Sequence, residues 1–206
     1  MKKIMFDDRF MLTRSVINGF KIATRRIIKF PEGFDPKAAP IMNLKFEKSG
    51  YVSIYCGLEC VARSKYAIGE IVAVAQSYKD IMLSENISLA EFCKRVSDDY
   101  DLDKITNGPG LKNKMFVQPE FMQHYIRVKN IRAQFLHEMS QMECISEGLY
   151  HKKYENGEHY GWGIHNVNEV FDTPVQAFAT LIDLVSGKGT WDSNPLVWVY
   201  SFQLIS

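Results

Sequence analysis

No stretch of the chain approaches the ~18 consecutive apolar residues of a membrane-spanning helix. The opening Met1-Lys2-Lys3-Ile4-Met5-Phe6-Asp7-Asp8 lacks the apolar run of about 7–15 residues that a secretory signal needs. A soluble, cytoplasmic protein with no membrane partner is therefore expected. Cysteine is scarce: Cys56, Cys60, Cys93 and Cys144 occur, with no Cys-x-x-Cys pair. Zinc needs four ligands at workable spacing, and the five histidines supply no partners nearby. Four reduced thiols, no metal and no cofactor are expected. Neither sign of charge is in excess, with 25 Lys and Arg against 24 Asp and Glu, so any nucleic-acid surface must be local. The chain also has no G-x-x-x-x-G-K-[ST], G-x-G-x-x-G, H-E-x-x-H or G-x-S-x-G, which removes the motif basis for triphosphate, dinucleotide, zinc-protease and serine-hydrolase chemistry.

What is present reads as one domain over 1–206, with 46% apolar residues to fill a core. A helix is expected from about Met11 to Asn18, with Gly19 as the left-handed residue past its end. Strands are expected over Thr24–Phe30, over Ile41–Phe46 and Tyr51–Tyr55 as a hairpin around Lys48-Ser49-Gly50, and over Glu70–Gln76, Gln123–Phe135 and Leu196–Ile205. The Glu70–Gln76 run is almost continuously apolar, so both of its faces should be covered. Ser88-Leu89-Ala90-Glu91 has capping-box spacing and opens a helix to about Tyr100. Ser140-Gln141-Met142-Glu143 is a second box, opening a short helix that ends at Glu147-Gly148. Thr173-Pro174-Val175-Gln176 starts the last helix, with proline at its first position, and Gly187 and Gly189 end it. Pro31–Pro40, Asp101–Lys114 and Tyr150–Asn168 read as loops. About six strands and four helices without βαβ alternation predict an α+β fold, a mixed β-barrel with flanking helices. The stretch at about 81–114 reads as an insertion.

Three segments hold residues suited to chemistry. Gly19-Phe20-Lys21-Ile22-Ala23-Thr24-Arg25-Arg26 sets a lysine, a hydroxyl and two guanidiniums between a helix and a strand. Strand alternation puts Thr24 and Arg26 on one face and Arg25 on the other, with Lys21 in reach of the Thr24 face. The plainer reading is an exposed basic turn. Glu147, in the last turn of its helix, opposes the helix dipole, which disfavours its charged form and suits acid–base work. The plainer reading is a solvated helix end. Lys112-Asn113-Lys114-Met115-Phe116 pairs two lysines with an aromatic, either a phosphate or base contact or a solvated pair. Tyr154, His159, Tyr160, Trp162 and His165 either stack bases or fold on one another.

These residues carry a resemblance. Gly19-x-Lys21-x-x-Thr24-x-Arg26, Tyr66-Ala67-Ile68-Gly69-Glu70-Ile71-Val72, Tyr125-Ile126-Arg127-Val128 with Met139-Ser140 and Ser146-Glu147-Gly148, and Phe178–Leu184 with Asn194-Pro195-Leu196-Val197-Trp198-Val199 together resemble the ASCH domain family, particularly its phage and gut-bacterial members. The resemblance implies a PUA-like β-barrel with a cleft for RNA, nucleosides or related ligands. Some small members remove acetyl from N4-acetylcytidine with a lysine, a threonine and a glutamate, and these roles fall on Lys21, Thr24 and Glu147. Where the family often has Arg-Glu-Thr-Trp, this chain has Ala75-Gln76-Ser77-Tyr78, so ligand preference differs. In the catalytic reading Thr24 attacks the carbonyl, Lys21 is the base, Glu147 hands the proton to the leaving amine and Arg26 stabilises the oxyanion. In the alternative, Lys21, Arg25, Arg26, Lys112 and Lys114 contact phosphates and the domain binds RNA or a nucleotide without catalysis.

Overall fold

The computed structural model describes residues 1–39, 42–96, 102–154, 157 and 159–205. Its strands are β1 (Lys3–Ile4), β2 (Ala23–Ile27), β3 (Met42–Phe46), β4 (Val52–Cys56), β5 (Glu59–Arg63), β6 (Ile71–Val74), β7 (Tyr125–Phe135), β8 (Tyr150–Lys153), β9 (Tyr160–Gly163) and β10 (Leu196–Ile205). Its helices are α1 (Leu12–Ile17), α2 (Tyr78–Glu85), α3 (Leu89–Val96), α4 (Leu102–Thr106), α5 (Gln141–Ile145), α6 (Pro174–Ser186) and α7 (Thr190–Ser193). The chain is α+β. Among the described residues the strands fall into sheets of five, three and two, and none of these closes into a barrel. Among the described residues there are ten strands rather than about six, and seven α-helices rather than about four. No helix is long and apolar enough to cross a membrane among the described residues.

The chain divides into two compact units. One comprises residues 1–6 and 71–126 with Ile205; the other comprises 7–70 and 127–204. The stretch at about 81–114 belongs wholly to the first. There β1 runs parallel to β6, with Lys3 opposite Ala73 and Ile4 opposite Val74. Val72, Ala73, Val74 and Ala75 are fully buried, so β6 is covered on both faces as its apolar run predicts. Ser77 and Asp80 form a capping box that opens α2, and Ser88 and Glu91 bond reciprocally at the start of α3. Tyr78, Ile81, Phe92, Ile105, Val117 and Met122 share one core cluster.

The surface loop expected over Asp101–Lys114 is therefore corrected. Asp101 and Tyr100 lie outside the described residues, but Leu102–Thr106 is helical, with Ile105 buried in that cluster. Gly110 packs so closely that a Cβ there would lie 2.7 Å from the Tyr78 ring. The polar composition of this segment concealed its few deeply placed apolar residues.

In the second unit β10 lies between β7 and β2. It pairs antiparallel with β2, with Val199 opposite Arg25 and Tyr200 opposite Thr24. The expected hairpin is formed by β3 and β4, and β5 adds a third strand; Ile41 and Pro40 lie outside the described residues. Thr173 and Gln176 cap α6, with Pro174 in its first turn. Gly187 ends α6, but α7 follows it, so α6 is not the last helix.

The loop expected over Tyr150–Asn168 instead contains a two-stranded ribbon, β8 and β9. Tyr150 pairs with Gly163 and Lys152 with Gly161. A Cβ on Gly163 would stand 2.9 Å from the Lys152 Cβ, so the glycines that suggested a loop are what lets the two strands close.

The β3–β4 turn holds a pH-sensitive contact. The Glu47 carboxylate accepts from Arg63 Nε at 2.9 Å and from the Ser53 and Ser49 hydroxyls at 2.6 and 3.0 Å. These bonds, Arg63 first, hold its pKa down at about 2 against an ordinary value of 4.5. The folded state thus releases this proton more readily than the unfolded chain. Its stabilisation is complete above 4.5 and is lost as pH falls toward about 2. A carboxyl NMR titration should place Glu47 among the most acidic glutamates, and Arg63→Gln should move it back toward 4.5.

Candidate functional site

Two turns bring the site together. After α1, Gly19 adopts φ +76°, and the Phe20 and Lys21 amides both donate to Ser15 O at 2.9 Å. The chain then enters β2, where the Ile22 and Ala23 amides donate to Ser146 O at 3.1 and 3.3 Å. These bonds hold the start of β2 against the end of α5. Gly148, at φ +100°, turns the chain away with its Cα facing Lys21, where a Cβ would lie 3.4 Å from the Lys21 Cβ. Only glycine takes that backbone conformation without strain. Lys21 and Glu147, 126 residues apart, are thus side by side.

The Lys21 ammonium donates to the Glu147 backbone carbonyl at 2.9 Å and to the Glu147 carboxylate. Arg25 Nη1 donates to the other carboxylate oxygen at 2.8 Å. Arg25 Nη2 lies 3.5 Å from Glu143 Oε1, which also pairs with Arg132. The second Glu143 oxygen accepts from the Ser140 amide at 2.8 Å, the capping contact of α5. The result is a chain of alternating charge: Lys21, Glu147, Arg25, Glu143, Arg132. Its inner members are buried, with Lys21 2%, Glu147 4% and Arg25 6% exposed. Its outer end is half-exposed at Arg132.

Burial pushes the Lys21 ammonium below its ordinary pKa. Glu147 opposes that shift, while Arg26 and Arg25 add to it. The Cys144 thiol, also buried, is pushed up to about 11, mainly by desolvation. It is held as an inert thiol rather than a nucleophile.

A cavity of about 160 Å³ opens beside this cluster. Arg25, Arg132, Glu143, Asn130, Ser146 and Ser201 are among its lining. Its walls come from β2, β7, β10 and α5, all in the second unit.

Thr24 occupies the other face of β2. It is buried, opposite Tyr200 of β10. Arg26 shares that face, near enough to Tyr66 to counter part of the desolvation that pushes the Tyr66 phenol up to about 12.

The structure therefore joins Lys21, Arg25 and Glu147, and sets Thr24 and Arg26 on the opposite strand face from Arg25. Lys112 and Lys114 belong to the first unit. Lys112 is exposed, whereas Lys114 is buried and donates to Phe6 O at 2.6 Å, a structural bond. In the aromatic segment, Tyr150 stacks on His165 at 4.4 Å, His151 lies against Trp162 at 4.2 Å, and Tyr154 donates to Asp172. Those rings fold on one another, with Tyr160 left exposed.

Sequence reading missed Glu143 and Arg132 as members of the cluster. Glu143 and Glu147 stand four residues apart, the spacing that puts both on one side of a helix; the capping box absorbed the first of them. Among the described residues no group of three or more His, Cys, Asp or Glu could hold a metal.

No family model matches the chain, and no curated protein or solved structure matches it.

Proposed function

We propose that this chain is an ASCH-type protein of PUA-like fold, with a cleft that takes a nucleoside or one RNA base and removes an acyl group from the amine of that base. The observation that carries the reading is the buried Lys21–Glu147 pair, joined to an open cavity through Arg25, which lines it. Removing two charges from water costs several kcal/mol per ion, and an apolar pair would often serve stability as well. A buried lysine whose pKa is lowered, with a carboxylate partner and a cavity reached through the same charge cluster, is the arrangement expected of an acid–base site. A cavity of similar size, about 150 Å³, admits benzene, so about 160 Å³ suits one ring.

Lys21 acts in the neutral form that its burial favours: its amine takes the proton of the attacking group and passes it across their shared contact to Glu147, which gives it to the leaving amine as the carbon–nitrogen bond breaks. The acyl group leaves as a carboxylic acid and the base regains its free amine. In the ASCH scheme the attacking group is the Thr24 hydroxyl. The position of Thr24, on the strand face away from Arg25, favours water in that role.

The same position of Thr24, with the half-exposed guanidinium of Arg132 at the cavity, favours a second reading: binding of the base without chemistry. Incubation with N4-acetylcytidine, followed by chromatography for cytidine, separates the two. Catalysis predicts cytidine from the unaltered protein and turnover lower by about 10²–10⁴-fold in Lys21→Ala. Thr24→Val then keeps turnover if water attacks and loses it if the hydroxyl does. Absence of cytidine, together with RNA affinity that falls steeply with salt, would leave the binding reading.

A further inference from the structure

We infer that the free edge of β3 is a self-association surface, on which a second copy of this chain pairs antiparallel, β3 against β3. β3 lies at the end of its sheet, and among the described residues no strand pairs with its outer side. The hairpin register decides which backbone groups are open there. The Glu47 amide donates to Tyr51 O at 2.9 Å, so these two form a hydrogen-bonded pair. Bonded and non-bonded pairs alternate along an antiparallel ladder. Met42, Leu44 and Phe46, opposite Cys56, Ile54 and Val52, are therefore the residues whose N–H and C=O point away from β4.

The same three side chains share a face with Val52 and Ile54, which are fully buried. Yet Leu44 is 41% exposed and Phe46 61%. The apolar face of the sheet thus runs past the core and ends on an open backbone edge. Such an edge is a template for another strand.

The edge's own sequence selects a second copy as the occupant. With the two-fold axis at Leu44, Leu44 meets the partner's Leu44, Met42 meets the partner's Phe46, and Asn43 meets the partner's Lys45. Apolar side chains then meet apolar ones and no like charges oppose. About six backbone hydrogen bonds close the pair.

Neighbouring registers fail. A shift of two residues one way sets Lys45 against the partner's Lys45, which is unfavourable. The opposite shift leaves Phe46 past the end of the partner's β3, which begins at Met42, so its backbone groups meet no strand residue. A shift of one turns every apolar side chain against a polar one.

The test uses the full chain with Cys60→Ser, to remove the exposed native thiol. In the proposed pair the two Leu44 Cα atoms stand about 5.5 Å apart, inside the disulfide range of about 4.4–6.8 Å. Leu44→Cys should give a covalent dimer on mild oxidation, and Asn43→Cys, which faces the partner's Lys45, should not. Sedimentation of the unaltered protein should show a monomer–dimer equilibrium. Leu44→Lys should raise its dissociation constant at least about tenfold, with an unchanged melting curve. A monomer at every concentration from micromolar to near-millimolar, or equal cross-linking by both cysteine variants, would overturn the inference. So would a monomer that instead captures an added extended peptide along this edge.

Discussion

Glu147→Gln should lower folding stability by about 3–5 kcal/mol, read as a shift in the denaturant midpoint. The carboxylate is the shared partner of two buried cations, Lys21 and Arg25. The amide keeps its shape and removes its charge, so two positive groups remain in the interior with no carboxylate between them. The arrangement is asymmetric. Lys21→Met deletes one cation and leaves Glu147 paired with Arg25, so it should cost clearly less than Glu147→Gln. Domain stabilities run to only about 5–15 kcal/mol, so the larger loss brings the variant near unfolding at moderate temperature. A loss under about 1 kcal/mol for Glu147→Gln would mean that water reaches the pair and that the cluster is not desolvated as described. For the same reason, lost turnover in a Glu147 variant says nothing about chemistry until its fold has been checked, whereas Lys21 variants are better probes.

The second large effect is expected in the other unit. Phe92→Ala should cost about 3–5 kcal/mol, the range for a phenylalanine removed from a packed interior. Its ring is fully buried, with Tyr78 at 5.7 Å and Phe121 at 6.0 Å, and those two rings meet edge-on at 5.5 Å. Losing one corner of this triangle leaves a cavity beside Ile81 and Ile105 that backbone shifts only partly fill. Hydrogen exchange should show the loss in the amides of 71–126. An undiminished midpoint would mean that this cluster contributes little to the cooperative transition.

Legibility differed with the kind of signal. Capping boxes at Ser88 and Ser140 each announced a helix start, because the side chain that accepts the orphan amide must be a particular type at a particular spacing, and proline at the first helical position announced α6. The long strands β7 and β10 were legible from residue type over about ten positions. Short elements were not. β5, Glu-Cys-Val-Ala-Arg, shows no alternation and exists because β4 offers it a partner. The Ser77–Asp80 box that opens α2 has the same spacing and follows directly on the Glu70–Gln76 run. At the site, Lys21 and Glu147 could be singled out by local context. That they are hydrogen-bonded to each other, that Arg25 rather than Arg26 joins them, and that Glu143 extends the chain of charge all depend on how α5 docks on β2. No local pattern encodes that contact.

The position of α5 has a consequence for how this chain tolerates change in length. Glu143 and Glu147 reach β2 because the stretch from Ser140 to Gly148 has the right number of residues and ends in a glycine turn. One residue added or removed there rotates everything beyond it by about 100° about the helix axis. The Glu147 carboxylate would swing out of reach of Lys21 and Arg25, and the Ser146 carbonyl would leave the amides that open β2. Loops elsewhere absorb insertions cheaply. This nine-residue segment works as a ruler, and variation in it should be confined to substitution.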